Sequence, residues 1–191
     1  IHDDLERQLY FEGAQFRVAG VPVVYFPRLR LPDPSVDRST GVLIPQISSS
    51  SDLGTGIKLP YFITLGDHAD ITLTPYLSTS TTTLEFAGRR LFQNGRLVIE
   101  GAVSEDDIRD SRGYFFGNAE LMLPRGFKAT AQLEFVSDPG YLFDYGFSNK
   151  DRLRNSIGIG RVRGNDSFRA SLSDFRTLRE TEIPIRDTLP D

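Results

Sequence analysis

Four acidic side chains gather at Glu105, Asp106, Asp107 and Asp110, and carboxylate oxygens are the ligands that hard divalent cations take. The stretch has neither the spacing nor the central glycine of an EF-hand loop, so it reads as a solvated loop. The histidines, His2 and His68, stand far apart without an acid at ligand spacing, and Cys is 0. Zinc chemistry, a thiolate site and a disulfide framework are therefore not expected. Ser48 to Ser51 is a serine run with no base motif beside it, and nothing resembles a nucleophile elbow. Gly158-Ile159-Gly160 followed by Gly164 misses the dinucleotide-binding spacing and sits in a strand pattern. No catalytic residue, metal ligand or cofactor is assigned, and an enzyme is not expected.

The elements that would hold these residues have a period of two, which sends successive side chains to opposite faces of a strand. Ile71, Leu73, Pro75 and Leu77 alternate with Thr72, Thr74 and Tyr76. Phe127, Ala129, Ala131, Leu133 and Phe135 alternate with Lys128, Thr130, Gln132 and Glu134. The same pattern recurs in Leu97 to Val103, Phe115 to Leu123 and Phe168 to Leu172. About nine candidate strands of roughly ten residues follow, longer than the usual soluble strand and suited to a tilted bilayer crossing. The predicted class is all-β and antiparallel.

Composition narrows the classes further. The 191 residues are long enough for one domain or slightly more, hydrophobic residues make up 39%, and there is no apolar run of helix-spanning length. Membrane insertion would thus require a β-barrel. A net charge of -4 with no basic stripe argues against nucleic acid as a partner. Short joins are expected at Gln93-Asn94-Gly95, Pro124-Arg125-Gly126 and Arg163-Gly164-Asn165, and longer polar ones over Ser104 to Arg112 and Ser137 to Arg152. Such asymmetry between rims suits an outer-membrane barrel, although periodicity alone leaves a soluble β-sandwich or a plain porin open.

Residues 1 to 40 differ. Ala14 to Phe26 reads as two short strands about a Gly20 turn, and Pro27, Pro32 and Pro34 follow. Proline lacks the ladder donor, so these positions do not belong in a central strand. The segment is expected to be the end of one β element and a linker into the long strands.

Taken in order, several pieces resemble the lipopolysaccharide-assembly LptD family. They are Ile1-His2-Asp3-Asp4, Ala14 to Val18, Val21 to Pro27 and Leu31-Pro32, then Arg38 to Pro45, Leu59-Pro60-Tyr61-Phe62, Asp70 to Pro75 and Val136 to Tyr141 with Asp144. The resemblance implies the end of a periplasmic β-jellyroll over residues 1–30, a Pro-rich linker over 31–40, and the opening strands of a large outer-membrane barrel over 41–191. Isolated, this part of a barrel is expected to be a curved open sheet. An extra residue between Pro32 and Arg38 and the absence of Cys and Trp depart from the family pattern.

The implied function is transport without bond chemistry: lipopolysaccharide moves from the jellyroll into the barrel and exits sideways through a lateral gate. Implied partners are lipopolysaccharide, an LptA-type periplasmic bridge, an LptE-type lipoprotein plug and outer-membrane lipid. Pro45 and Pro60, expected within the first two long strands, match prolines that weaken this gate. The jellyroll residues Phe16, Val18, Val23 and Tyr25, with Val21 and Phe26, would begin an apolar pathway for acyl chains as a segment, although ordinary jellyroll core explains the same residues and is the better reading for any one of them. Lys128, Thr130, Gln132 and Glu134 would line the lumen.

Overall fold

A computed structural model describes residues 2–3, 8–18, 20–32, 38–50, 53–107 and 109–179. It is almost entirely antiparallel β. A first sheet holds β1 (His2–Asp3), β2 (Gln8–Val18) and β3 (Val21–Pro32). Among the described residues β3 pairs with β2 alone, so Pro22, Pro27 and Pro32 lie on an edge strand, where a missing N–H is tolerated. The strands are longer than the two expected around Gly20, and β3 continues to Pro32.

The second sheet begins with four short strands: β4 (Gly41–Val42), β5 (Gln46–Ser50), β6 (Gly54–Lys58) and β7 (Tyr61–Thr64). Seven long ones follow: β8 (Ala69–Ser78), β9 (Thr81–Phe92), β10 (Gly95–Asp106), β11 (Asp110–Leu123), β12 (Phe127–Val136), β13 (Arg152–Arg163) and β14 (Asp166–Thr177). Neighbours in sequence pair in space from β8 to β14 as a simple meander, and the sheet is open.

The turns follow local chemistry. Arg125 (φ 62) and Gly126 (φ 78) take left-handed geometry between β11 and β12, and Gly164 (φ 56) does so between β13 and β14. The Gln93-Asn94 turn uses no positive φ. Gly95 serves space instead, because an added Cβ would run into the Glu120 carbonyl oxygen. The long polar join expected over Ser104 to Arg112 is a correction: the ladder continues to Asp106 and resumes at Asp110, which leaves three residues between strands. The join between β12 and β13 is long, and it carries the short helix α1 (Tyr141–Asp144).

Register divides the second sheet into two unlike faces. One row reads Ile71, Gly88, Ile99, Gly117, Leu133 and the next reads Leu73, Phe86, Gly101, Phe115, Phe135. Leu84, Val103, Leu133, Phe135, Ile157 and Leu172 on this face are 39–78% exposed. The opposite face carries Tyr76, Thr83, Ser104 and Arg112 in one row and Thr72, Ala87, Glu100, Phe116 and Glu134 in another. Lys128, Thr130, Gln132 and Glu134 fall on this polar face, as their alternation predicts.

The buried core lies on the polar side. Residues 137–151 fold over it, and Phe116, Val136, Tyr141, Leu142, Leu153 and Leu178 form the cluster beneath. Tyr141 and Leu142 are 0% and 1% exposed, each worth about 1.5–3 kcal/mol of burial. The ring of Tyr145 stacks on Phe147 at 5.4 Å.

Candidate functional site

Two features of the second sheet exceed what a plain meander needs. The first is a break in its opening hairpin. Strands β4 and β5 make one interrupted strand and β6 and β7 a second; β4 pairs with β7 and β5 with β6. Pro45 sits in the first gap and Pro60 in the second, so neither lies inside a long uninterrupted strand as the sequence suggests. Proline explains both gaps by removing a ladder donor. The Leu43 amide still donates to the Pro60 carbonyl at 2.8 Å, and Leu59 donates to the Pro75 carbonyl at 3.0 Å.

Pairing slips at this level. Val42 opposes Tyr61 but Gln46 opposes Lys58, so the first strand spends four steps where its partner spends three. The surplus residue, at Ile44-Pro45, is a β-bulge opposite Leu59-Pro60. On the far side of β6 and β7 the register with β8 stays in step, since Lys58 opposes Tyr76 and Tyr61 opposes Leu73. Disruption is thus concentrated between the first and second strands. Just before them Arg38 fixes the incoming chain, donating to the carbonyls of Asp67 (2.5 Å) and Ala69 (3.1 Å) and to the Asp70 carboxylate (2.9 Å).

The second feature is the strap, residues 137–151, held on the polar face by Arg112. That side chain is 2% exposed. Its Nε and Nη2 donate to the two oxygens of Asp138 at 2.9 and 2.7 Å, the bidentate geometry that a planar guanidinium favours. Nη2 also reaches Asp144 at 2.8 Å and Nη1 reaches Asp106 at 3.4 Å. The guanidinium lies 5.0 Å from the Tyr141 ring centroid, a cation–π contact. Tyr145 donates its hydroxyl to Asp106 at 2.7 Å. The Tyr141 hydroxyl and Ser104 Oγ share a hydrogen bond of 2.6 Å, and Ser104 Oγ in turn meets Thr83 at 2.7 Å. Farther along, Lys150 pairs with Glu134 at 2.5 Å.

These contacts set the electrostatics of the strap. Burial pushes the Asp138 carboxyl up, but the hydrogen bonds from Arg112 and Ser137 outweigh it and hold Asp138 below its ordinary value. Burial raises the hydroxyls of Tyr141 and Tyr145, so both stay protonated at neutral pH. The acidic stretch expected to be a solvated loop is therefore split: Asp106 is buried in the network, whereas Asp107 and Asp110 are exposed. Sequence reading missed Arg112, Tyr141 and Tyr145. Two arginines, Arg109 and Arg112, within and just after the acidic run were the signal for the first.

No family model matches the chain. Among curated proteins it is 35% identical over 182 residues to the LPS-assembly protein LptD of Nitrosococcus oceani, which covers 90% of this chain. The LPS-assembly protein LptD of Psychrobacter cryohalolentis is 34% identical over 180 residues, 89% of this chain, and that of Xylella fastidiosa 30% identical over 154, or 76%. The chain belongs to the LptD family. It spans 24%, 17% and 19% of the length of those three LptD proteins.

On this segment of an LptD fold, the sequence-predicted residues fall in two places. Pro45 and Pro60 are brought together at the broken hairpin; Pro60 is buried and Pro45 half-buried. The pathway residues Phe16 and Val18 lie in β2, and Val23 and Tyr25 in β3. Tyr25 is 59% exposed, whereas the side chains of Phe16, Val18, Val21 and Val23 lie outside the described set. His68 is exposed in a turn, and the backbone of His2 is in β1. Among the described residues no three His, Cys, Asp or Glu side chains gather as a metal site.

Proposed function

We propose that this chain is the opening part of an outer-membrane lipopolysaccharide translocon, comprising the end of a periplasmic jellyroll (β1 to β3) and the first strands of a barrel (β4 to β14). Membership of the LptD family is the observation that carries this reading. The two-faced sheet supports it, since soluble monomers rarely expose a contiguous apolar patch of more than a few hundred Å². In a barrel the apolar face meets lipid and the polar face lines a wet lumen. A soluble β-sandwich would need a second sheet over Phe135, Ile157 and Leu172.

In this reading lipopolysaccharide arrives along an LptA-type periplasmic bridge, crosses the jellyroll past the segment containing Phe16, Val18, Val23 and Tyr25, and enters a lumen shared with an LptE-type lipoprotein plug. It leaves sideways between the first and last strands of the complete barrel. A closed barrel has no free edge, so lateral exit needs a seam that is weakly paired. Pro45 and Pro60 act as the weak point, each withholding one ladder hydrogen bond, a net effect of about 0.5–1.5 kcal/mol. The register slip between the first and second strands adds to this by loosening the first strand's hold on the sheet, so that it can move away from the last strand more readily.

The test replaces both prolines with alanine in the full-length protein. Restored donors should tighten the seam and lower lipopolysaccharide delivery to the cell surface in a complementation assay. Normal delivery by the double variant, at normal protein levels, would count against the gate.

A further inference from the structure

The apolar face of the second sheet carries a groove of about 730 Å³ near the turns at 65–68 and 93–94. Its floor is Gly88, which faces Ile71 on one side and Ile99 on the other. A Cβ added there would lie 3.1 Å from Ile99 Cγ1, so the glycine keeps the groove open. One row nearer the turns, the sheet runs from Ala69 through Leu97 to Leu172 with Arg90 as its single charge. His68 and Asn94 line the end of the groove at the turns.

The two adjacent arginines of β9 are treated differently. Arg89 points to the polar face and pairs with Asp70 at 3.1 Å. Arg90, on the apolar face, has no carboxylate partner among the described residues; its guanidinium stacks 5.0 Å from the Phe92 ring centroid. A second outward arginine repeats the arrangement, since Arg161 lies 5.1 Å from the Phe127 ring centroid, and Phe168 packs edge-on against Phe127 at 6.4 Å. Arginine beside aromatic rings at one end of an apolar band suits the headgroup level of a bilayer. An unneutralised guanidinium there calls for an anionic oxygen from the lipid itself, and guanidinium matches phosphate in geometry.

We propose that this groove is a binding site for one glycerophospholipid, with an acyl chain over Gly88 between Ile71 and Ile99 and the phosphate on Arg90. The site's volume falls within the roughly 300–1,000 Å³ typical of small-molecule pockets. The proposal rests on the reading that the apolar face meets lipid, and it adds a resident lipid distinct from the transported cargo. The bound lipid would fill the groove left by Gly88 and neutralise Arg90.

The experiment uses the full-length protein, purified in detergent and analysed by native mass spectrometry after titration with palmitoyl-oleoyl phosphatidylglycerol. Wild type should retain one more phospholipid per chain than Arg90→Gln, with affinity at that site about tenfold weaker in the variant. Gly88→Leu should lose the same equivalent with Arg90 intact; where that variant fails to fold, Arg90→Gln alone decides. Equal retention by wild type and Arg90→Gln overturns the proposal, as does full displacement of the lipid by inorganic phosphate at equal concentration. Normal insertion into vesicles with no retained lipid overturns the site but leaves the membrane reading intact. Failure to insert overturns both.

Discussion

Replacing Arg112 by glutamine should release the strap from the polar face. The substitution removes a bidentate pair with Asp138, a 2.8 Å contact with Asp144 and a 3.4 Å contact with Asp106. Asp138 and Asp144 would be left facing one another, with Arg109, 3.8 Å from Asp138, as the remaining cation. Breaking a buried ion pair by removing one partner costs about 3–5 kcal/mol. At about 1.36 kcal/mol per tenfold, the opening equilibrium of the strap should rise roughly 150- to 5,000-fold. The amides of Phe143, Asp144, Tyr145 and Phe147, which donate to carbonyls within the strap, report this opening directly. Their hydrogen exchange in the full-length protein should accelerate by that factor, while amides in the ladder between β10 and β11 keep their protection. Arg112→Lys should fall between, because a point charge cannot make the paired contact. Exchange within about twofold of wild type in the glutamine variant would refute the assignment of Arg112 as the strap's anchor.

Three further outcomes follow from the same geometry. Asp138 is held below its ordinary value, so its contribution to strap stability is complete above that value and is lost as pH falls through the folded one; strap exchange should therefore accelerate below about pH 4. Tyr141→Phe removes the 2.6 Å bond to Ser104, which keeps Thr83 at 2.7 Å, and should destabilise the strap by about 0.5–1.5 kcal/mol, measured by thermal unfolding. Gly101→Val should cost about 1–3 kcal/mol by overpacking, since even a Cβ would lie 2.5 Å from the Phe86 ring and from the Tyr114 carbonyl; refolding yield and melting midpoint report it.

How much was legible in the sequence depended on how local each feature is. The alternation in Phe127 to Phe135 predicts which side chains share a face, because strand geometry fixes the answer within one element. The turns at Pro124-Arg125-Gly126 and Arg163-Gly164-Asn165 were equally readable, since residue type limits φ. Arg112 and Asp138 are 26 positions apart, and only the pairing of β11 with β12 brings them together. The acidic run from Glu105 to Asp110 looked solvated because composition does not report that β10 and β11 pair almost to its end. Pro45 and Pro60 were recognisable as strand breakers, but that their breaks adjoin one another emerges from register alone.

The bulge at Ile44-Pro45 also sets the phase in which the first strand is written. Val42 opposes Tyr61 and Ile47 opposes Ile57, and Tyr61 and Ile57 share the apolar face through Leu73 and Leu77 of β8. Val42 and Ile47 therefore face the same way although five positions separate them, an odd spacing that an unbroken strand would send to opposite sides. Deleting one residue between Leu43 and Gln46 would force one half of the strand to turn its side chains over. Changes of length before Arg38 carry no such consequence, because its bonds to Asp67, Ala69 and Asp70 reset the chain before the first strand starts. The tolerance of this region to insertions and deletions should thus change abruptly within a few residues, between a permissive approach and a stretch whose exact length encodes which side of the sheet each residue occupies.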